Sequence, residues 1–353
     1  MSKFNLTSLA LESAFSPNTL IYDDLGLPSV MVYVPKFKIS DVIPGGSDST
    51  HPAFIVDGVE RDGIYISKYQ NVVLNGRAYS IPCEDPAVSV SFTAAVDYCA
   101  AKGEGWHIMT AAEWAAIALW CKKNGFLPYG NNNYGKDTRE TDYKAIPTAK
   151  DADGRTLRVA TGTGPLTWSH NNMLDGIYDL NGNVWEWNGG MRLVYGELQI
   201  LENNNAANSD ASQAASSAQW KAIDGTTGEL ITPDGNGKTK NSLKLDLLNS
   251  VWTWITGTVT ATATFTSRFK EVTTDGTVSD AAKAILQALA MLPHDTGDYG
   301  DDDFYIDPTK ADFILYSGGA QSTGVSAGVF RKAFSALRAF AASTVGFRAA
   351  YYE

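Results

Sequence analysis

The chain has 353 residues, a net charge of -11 and a hydrophobic content of 44%. This length allows one large domain or two modest ones. The negative charge and the lack of a Lys/Arg cluster argue against binding nucleic acid through its phosphates. Three cysteines (Cys83, Cys99 and Cys121) do not make a disulfide framework. Neither a secretory signal nor a long apolar run is found at the N-terminus, so no membrane insertion is expected.

The first third of the chain begins with segments that are typical of strands. "SVMVYVPKFKIS" starts at Ser29, and "GIYISKYQNVV" spans Gly63 to Val73. Both are rich in β-branched and aromatic residues, and the Pro in the first marks a break. We expect residues 1–55 to form an N-terminal segment that packs on a domain made by residues 56–353.

Two helices are predicted next, in "SVSFTAAVDYCAAKG" and "TAAEWAAIALWCKKNG". In the second, Thr110 and Glu113 form a T-x-x-E capping box, and Gly125 is a natural C-terminal residue. Cys99 and Cys121 fall on the apolar stripes of the two helices. Both are therefore predicted to be small buried residues rather than nucleophiles.

A long insertion is predicted over residues 196–300. Residues 203–240 within it are polar and show no clear period. Ser250 to Ser267 alternates Thr with apolar residues, which predicts a strand. Ser279 to Leu292 is predicted to be a short helix with Ser279 as its N-cap. The acidic stretch "DTGDYGDDDFYID" that follows is predicted to be a loop.

The stretch "DLNGNVWEW", Asp179 to Trp187, is the most unusual in the chain. If it ends in a strand, Trp185 and Trp187 share one face and Glu186 lies on the other. One interpretation is two core tryptophans with a solvated Glu186. The other is that Glu186 pairs with a cation, with backbone carbonyls of the Asn-Gly turn as further ligands of a hard ion such as Ca²⁺.

Several ordered motifs resemble those of the formylglycine-generating-enzyme-like branch of the C-type lectin fold. "YDLNGNVWEW" is similar to that family's "LxDMxGNVWEW", and "PAVSVSFTAAVDYCAAKG", "HIMTAAEWAAIAL", "LPYG" and "VGFRAA" follow the family order. The resemblance covers roughly residues 60–195 and 312–351. It implies an α+β protein with this C-type lectin fold and a long insertion before its C-terminal segment.

The same resemblance implies a structural calcium site. The family's calcium ligands correspond here to the side chain of Asp179, the carbonyls of Gly182 and Val184, and Glu186. Each position offers a suitable oxygen, and Ca²⁺ is therefore the expected cofactor.

The enzymatic activity of that family is not expected. Formylglycine-generating enzymes oxidise a substrate cysteine with a copper-binding cysteine pair near the C-terminus, and this chain has no cysteine after Cys121. The four histidines are scattered, and no acid/base pair stands out.

The last part of the chain, residues 312–353, resembles the variable region of proteins diversified by retroelements. Its frame of Gly and apolar residues is kept, and Phe330, Val345 and Phe347 are predicted to point inward. The positions between the frame residues are predicted to bind a ligand, all but Val325 and Thr344 on one exposed face, against the alternative of an ordinary protein surface. They are Gln321, Ser322, Thr323, Val325, Arg331, Phe334, Ser335, Arg338, Phe340 and Thr344.

Together the resemblances imply a non-enzymatic ligand-binding protein encoded by a bacteriophage or prophage. The expected partner is a host cell-surface protein or glycan, the expected setting is the virion (phage tail) or an extracellular surface, and an oligomer is compatible with this function. Two alternatives stay open: an enzyme of the formylglycine-generating type, and a bacterial surface adhesin without diversification.

Overall fold

The computed structural model describes residues 6–353 and shows an α+β protein, as predicted. The helices are α1 Leu6–Phe15, α2 Ile39–Val42, α3 Phe92–Ala100, α4 Ala111–Lys123 and α5 Asp280–Ala288. The strands are β1 Thr19–Tyr22, β2 Pro28–Pro35, β3 Ile55–Val56, β4 Val59–Glu60, β5 Gly63–Ser67, β6 Val72–Leu74, β7 Arg77–Tyr79, β8 Trp106–Ile108, β9 Pro147–Lys150, β10 Thr156–Val159, β11 Trp185–Val194, β12 Glu197–Ile200, β13 Lys221–Ile223, β14 Leu230–Ile231, β15 Lys244–Leu248, β16 Val251–Ile255, β17 Phe265–Arg268, β18 Thr273–Thr274, β19 Asp303–Ile306, β20 Phe313–Gly318, β21 Gly328–Leu337, β22 Val345–Phe347 and β23 Ala349–Tyr351.

Two sheets organise these strands. The smaller has the order β1-β2-β5-β23-β8, so the last strand of the chain lies in its interior. The larger follows the path β17-β19-β21-β20-β11-β12-β15-β16-β18, with β22 added to β11 and β13 added to β12. From residue 6 onward, the chain contains no helix long and apolar enough to cross a membrane.

The helix ends follow from their sequences. The Thr110 hydroxyl accepts from the amide of Glu113 at 3.1 Å, and the Glu113 carboxylate accepts from the amide of Thr110 at 2.9 Å, so the capping box forms as predicted. Ser279 caps α5, as predicted, through the amide of Ala282 at 3.2 Å. Cys99 and Cys121 are buried, and burial raises the pKa of both thiols.

The segment 196–300 does not leave the domain as an excursion. It supplies β12 to β18 of the larger sheet, and Trp252 and Trp254 on β16 are fully buried in the main core. Its polar stretch, residues 203–240, still contributes the short pair β13 and β14. The segment therefore extends the sheet at both edges, with β17 beside β19 and the other strands beyond β11.

The acidic stretch before residue 307 was predicted to be a loop, and its second half is instead strand β19. Phe304 and Ile306 alternate into the core, and β19 lies between β17 and β21. The neighbouring strands supply Arg268 and Arg331, which pair with Asp303 at 2.7 and 2.9 Å. These partners come from distant parts of the chain, so the local charge run alone gave the wrong prediction.

The first and last strands of the described residues, β1 and β23, both belong to the smaller sheet. Residues 1–5 of the predicted N-terminal segment lie outside the described residues. Further along, β1 pairs with β2, and β2 pairs with β5 through Val32 opposite Ile66. The N-terminal segment is thus joined to the domain by main-chain hydrogen bonds as well as by packing.

The frame residues of the C-terminal segment point inward. Phe330 and Phe347 are fully buried, and Val345 is nearly so. Phe334 is fully buried as well, in the main core. The prediction that Phe334 lies on an exposed face is therefore wrong: on β21 it shares the inward side with Phe330, four residues earlier.

The burial of these phenylalanines predicts how single substitutions affect the free energy of unfolding. We expect Phe334→Ala and Phe347→Ala each to lower the free energy of unfolding by about 3–5 kcal/mol, because each leaves a cavity in the core. Phe340→Ala is the matched control: its ring is 43% exposed, so the change should stay within about 0.5 kcal/mol. Urea denaturation measures all three, and wild-type stability of the Phe334 variant would contradict the packing described here.

Candidate functional site

The motif "DLNGNVWEW" leads into β11, and its carboxylate is buried rather than solvated. Glu186 accepts from the guanidinium of Arg348, with Nε to Oε2 and Nη2 to Oε1 both at 2.9 Å. Neither side chain is more than 1% exposed. Glu186 is thus paired with the Arg348 guanidinium, in the bidentate geometry that arginine and carboxylate groups favour.

Arg348 also binds main-chain carbonyls from two other segments. Its Nη1 donates to the carbonyls of Ser67 at 2.8 Å and Lys68 at 3.1 Å, and its Nη2 donates to the carbonyl of Tyr178 at 2.8 Å. With the two bonds to Glu186, the five N–H groups of the guanidinium are satisfied. Removing one partner of such a buried pair costs about 3–5 kcal/mol, so this network holds the motif in place.

Three of the four groups expected to bind calcium converge on the side-chain amide of Gln70. Its Nε2 lies 3.4 Å from the Gly182 carbonyl, 3.1 Å from the Val184 carbonyl and 3.0 Å from Glu186 Oε1. At position 179 it contacts the main-chain carbonyl, at 3.1 Å, and not the side chain that was expected to bind the ion. The amide oxygen of Gln70 accepts from Asn183 at 2.9 Å, which sets the amide orientation. A cation at the centre of these oxygens and the Gln70 amide exclude each other, so the residues do not fit a metal unless Gln70 moves.

Asp179 is the unsatisfied member of this group. One carboxylate oxygen accepts from the amide of Gly162 at 2.9 Å, while the other is buried without a hydrogen-bond partner. Burial raises the pKa of the Asp179 carboxyl to about 6. Calcium binding therefore stays a prediction, and it requires both an ionised Asp179 and a displaced Gln70.

The Gln70→Ala variant tests whether the Gln70 amide or a calcium ion occupies the centre of these oxygens. We expect chelation to leave the melting temperature of the wild type unchanged, because Gln70 already donates to the shared oxygens. The variant should lose about 1–3 kcal/mol of stability, since buried oxygens lose their donor, and added Ca²⁺ should restore part of it. Thermal melting with metal analysis by mass spectrometry checks this. A lower wild-type melting temperature on chelation, with one calcium bound per chain, would show instead that the metal displaces the amide.

The other face of the larger sheet carries a row of aromatic residues. Trp185 and Trp187 lie on one face of β11, as predicted, and both contact the Tyr316 ring, with centroid distances of 4.7 and 5.3 Å. Trp187 is fully buried, but Trp185 is only half-buried, so just one of the two indoles fills the core. Register then places Ala333 beside Tyr316 and Tyr305 beside Ala333.

Charged side chains form a second row on this face. The guanidinium of Arg331 lies 4.7 Å from the centre of the Trp185 ring. It donates to Asp303 at 2.9 Å and to the carbonyl of Ser326 at 3.0 Å, and Asp303 also accepts from Arg268 at 2.7 Å. Burial lowers the pKa of Arg331, and Asp303 acts in the opposite direction. We call Trp185, Tyr305, Tyr316, Arg331 and Ser335 the aromatic face.

The structure distributes the ten predicted ligand-binding residues over several environments. Phe334 lies in the core, and Gln321 and Arg331 are largely buried, although Arg331 belongs to the aromatic face. Ser335 is half-buried on the same face and bonds the Tyr316 hydroxyl at 2.6 Å. The loop that precedes β21 holds Ser322, Thr323 and Val325, and the turn beyond β21 holds Arg338, Phe340 and Thr344.

The loop and the turn each contact the aromatic face. The Ser326 carbonyl of the loop accepts from Arg331, and the Thr344 carbonyl of the turn accepts from the amide of Trp185 at 2.9 Å. Sequence reasoning missed Tyr305 and Tyr316 as members of this face. The alternation in "DFYI" and "FILYSG" was an available signal, but pairing across β19, β21 and β20 was needed to bring them together.

The structure offers no cysteine pair near this face. Cys83 is exposed and positioned before α3, while Cys99 and Cys121 are buried. In residues 6–353 no cluster of three or more His, Cys, Asp or Glu side chains could hold a metal ion.

One family model matches the chain. Residues 59–196 match the sulfatase-modifying factor enzyme 1-like domain. The matched segment contains Gln70, the capped helix α4 and the whole "DLNGNVWEW" motif. The predicted likeness of this part to the formylglycine-generating-enzyme-like branch is thus confirmed, and the C-terminal segment lies outside the sulfatase-modifying factor enzyme 1-like match.

Solved structures give distant similarities along most of the chain. PvdO from Pseudomonas aeruginosa is 14% identical with a TM-score of 0.33, over 96% of this chain and 99% of that one. Treponema denticola variable protein 1 is 10% identical with a TM-score of 0.36, also over 96% and 99%. The Major Tropism Determinant P3c variant is 9% identical with a TM-score of 0.34, over 95% and 71%. Values this low assign no function, and no curated protein matches the chain.

Proposed function

We propose that this protein binds a ligand through the aromatic face and the loop and turn that border it. The observation that carries this proposal is the half-exposed Trp185 with Arg331 stacked on it, beside Tyr316 and Tyr305. Tyr, Trp and Arg are the residues that dominate binding energy at protein interfaces. Here they stand on adjacent strands of one sheet.

The face is also held in position before any ligand arrives. Asp303 and the Ser326 carbonyl fix the Arg331 guanidinium, and Ser335 fixes the Tyr316 hydroxyl. Anchors that are already ordered lose little conformational entropy on binding, which favours affinity. This rigidity supports a recognition role for the face.

We further propose that the C-terminal segment is a diversified variable region. Ser322 and Val325 are exposed, and Thr323 is partly so, on a loop at the edge of the aromatic face. Side chains at such positions change without loss of packing. The partner is then a host cell-surface protein or glycan, and the setting is the phage virion or an extracellular surface. A template repeat of the segment for residues 312–353, next to a reverse transcriptase gene, would support the proposal.

We expect the binding variant to lose its ligand and keep its fold. The variant combines Trp185→Ala with Ser322→Ala, Thr323→Ala and Val325→Ala. An interface anchor is worth roughly 2 kcal/mol or more, so retention should fall at least tenfold. Ser322→Ala and Val325→Ala should each alter stability by about 0.5 kcal/mol or less. Thr323→Ala should cost about 0.5–1.5 kcal/mol, because it removes the hydroxyl that accepts from the amide of Ala320 at 2.9 Å.

The measurement is retention of labelled protein on a panel of fixed bacterial cells and on a glycan array, with melting curves of the same samples. Leu174→Ala is the matched control, since its side chain is 72% exposed and belongs to no part of this site. Unchanged retention by the binding variant, or equal loss by the Leu174 control, would contradict the proposed site.

An enzymatic function is the second candidate, because residues 59–196 match a domain family named for a sulfatase-modifying enzyme. We propose that the chain lacks this activity: the two helical thiols are buried, which leaves Cys83 as the exposed thiol. No formylglycine should form in a cysteine-containing sulfatase peptide incubated with the protein, with or without copper. Peptide mass spectrometry is the measurement, and product above a no-protein control would overturn the binding-only proposal.

A further inference from the structure

A separate cleft lies beside the start of β19 and β21, and none of the residues of the aromatic face lines it. Its volume is about 700 Å³, and it lies between the end of α4, the loop from residue 125 to 139, the loop from 298 to 302, and the start of β21. Asp302 is among its lining residues. We call it the Asp302 cleft.

Asp302 is held firmly and yet keeps one oxygen free. The residue is only 5% exposed, and its Oδ2 accepts a hydrogen bond from the amide of Phe330 at 2.7 Å. Oδ1 accepts no hydrogen bond from any of residues 6–353. It lies against Gly328, and a Cβ atom added to that glycine would come within 2.3 Å of Oδ1. Glycine at 328 therefore leaves the space that this carboxylate occupies.

The cations around the cleft already have partners of their own. Lys122 pairs with Asp295 at 3.0 Å, Lys270 with Asp301 at 2.9 Å, and Arg139 with both oxygens of Asp137 at 2.7 and 2.8 Å. On the inner side of β21, the hydrogen bond described for Lys332 goes to Ser317 Oγ, at 3.5 Å, rather than to Asp302. Among residues 6–353 Asp302 thus forms no salt bridge, although the buried Lys332 ammonium attracts its charge from a longer distance.

Burial without a partner is unfavourable for a charged carboxylate. Desolvation raises the pKa of the Asp302 carboxyl to about 7, while the Phe330 amide, Arg331 and Arg139 act in the opposite direction. A cationic group that reached Oδ1 would stabilise the ionised form, because opposite charges attract strongly where water is scarce.

The walls of the cleft suit an apolar stem. Phe126, Leu127, Val325 and Val329 line it, and Tyr129 does so with the guanidinium of Arg139 stacked 3.7 Å from the centre of its ring. The site combines one unpaired acceptor with aliphatic and aromatic walls, the usual make-up of a small-ligand pocket.

We propose that the Asp302 cleft binds a primary ammonium group carried on a short apolar stem, with Asp302 Oδ1 as the acceptor. A lysine side chain and a small alkylamine share this chemistry. The site is distinct from the aromatic face, because Asp302 accepts from the main-chain amide of Phe330, whereas Asp303 pairs with Arg268 and Arg331 at the aromatic face. Val325 lines the cleft and also belongs to the proposed ligand-binding loop, so the test is made at Asp302, which has no part in the proposed recognition function.

The test uses n-butylammonium as the probe, n-butanol as its uncharged counterpart, and an amine-free buffer at neutral pH. Binding is followed by carboxyl-detected NMR of the full chain. We expect the Asp302 signal to move on addition of n-butylammonium and not of n-butanol. The Asp302→Asn variant should bind at least tenfold more weakly, while Asp280→Asn, which removes an exposed carboxylate of α5 outside the cleft, should bind as the wild type does.

Three results would overturn the proposal: equal binding of n-butanol, unchanged affinity in Asp302→Asn, or no shift of Asp302 in the wild type up to about 100 mM probe, a limit that corresponds to about 1.4 kcal/mol of binding. The wild-type shift does not depend on the variants. It decides the question even if Asp302→Asn fails to fold.

Discussion

The buried pair between Arg348 and Glu186 is the contact on which the two sheets depend. Arg348 lies between β22, which pairs with β11 of the larger sheet, and β23, which lies inside the smaller sheet. Its guanidinium binds Glu186 on β11 and the carbonyls at the end of β5. Since an unpaired charge at this depth would be very costly, the chain end, the motif and both sheets are held in a single arrangement.

This pair also decides where the aromatic face lies. On a strand, successive side chains point to opposite sides, so burying Glu186 against Arg348 sends Trp185 and Trp187 to the other side. The same alternation on β21 sends Phe330 and Phe334 into the core and Arg331 and Ser335 outward. A one-residue slip would reverse the two sets, and the buried ion pair opposes such a slip.

Strand β19 connects the aromatic face with the Asp302 cleft. Asp303 pairs with arginines on the aromatic face, whereas Asp302 turns toward the cleft, where one of its oxygens stays free. The loop from residue 320 to 327 borders both places, since the Ser326 carbonyl binds Arg331 and Val325 lines the cleft. Substitutions in this loop therefore act on both surfaces.

Local features were determined by the sequence itself. The capping box of α4, the cap of α5, the order of the motifs and the inward frame of Phe330, Val345 and Phe347 depend on neighbouring residues or on a short repeat, and they could be predicted. The partner of Glu186 lies 162 residues away, and Gln70 reaches the same carboxylate from the distant connection between β5 and β6. Neither contact leaves a periodic trace in the sequence.

The same reason explains the inward turn of Phe334, the strand in the acidic stretch and the sheet made by residues 196–300. Each depends on which strands pair, and strand pairing is a long-range choice that burial of apolar area and satisfaction of buried charges decide together. Only the tertiary structure therefore places Trp185, Tyr305 and Arg331 side by side and leaves Asp302 facing a cleft.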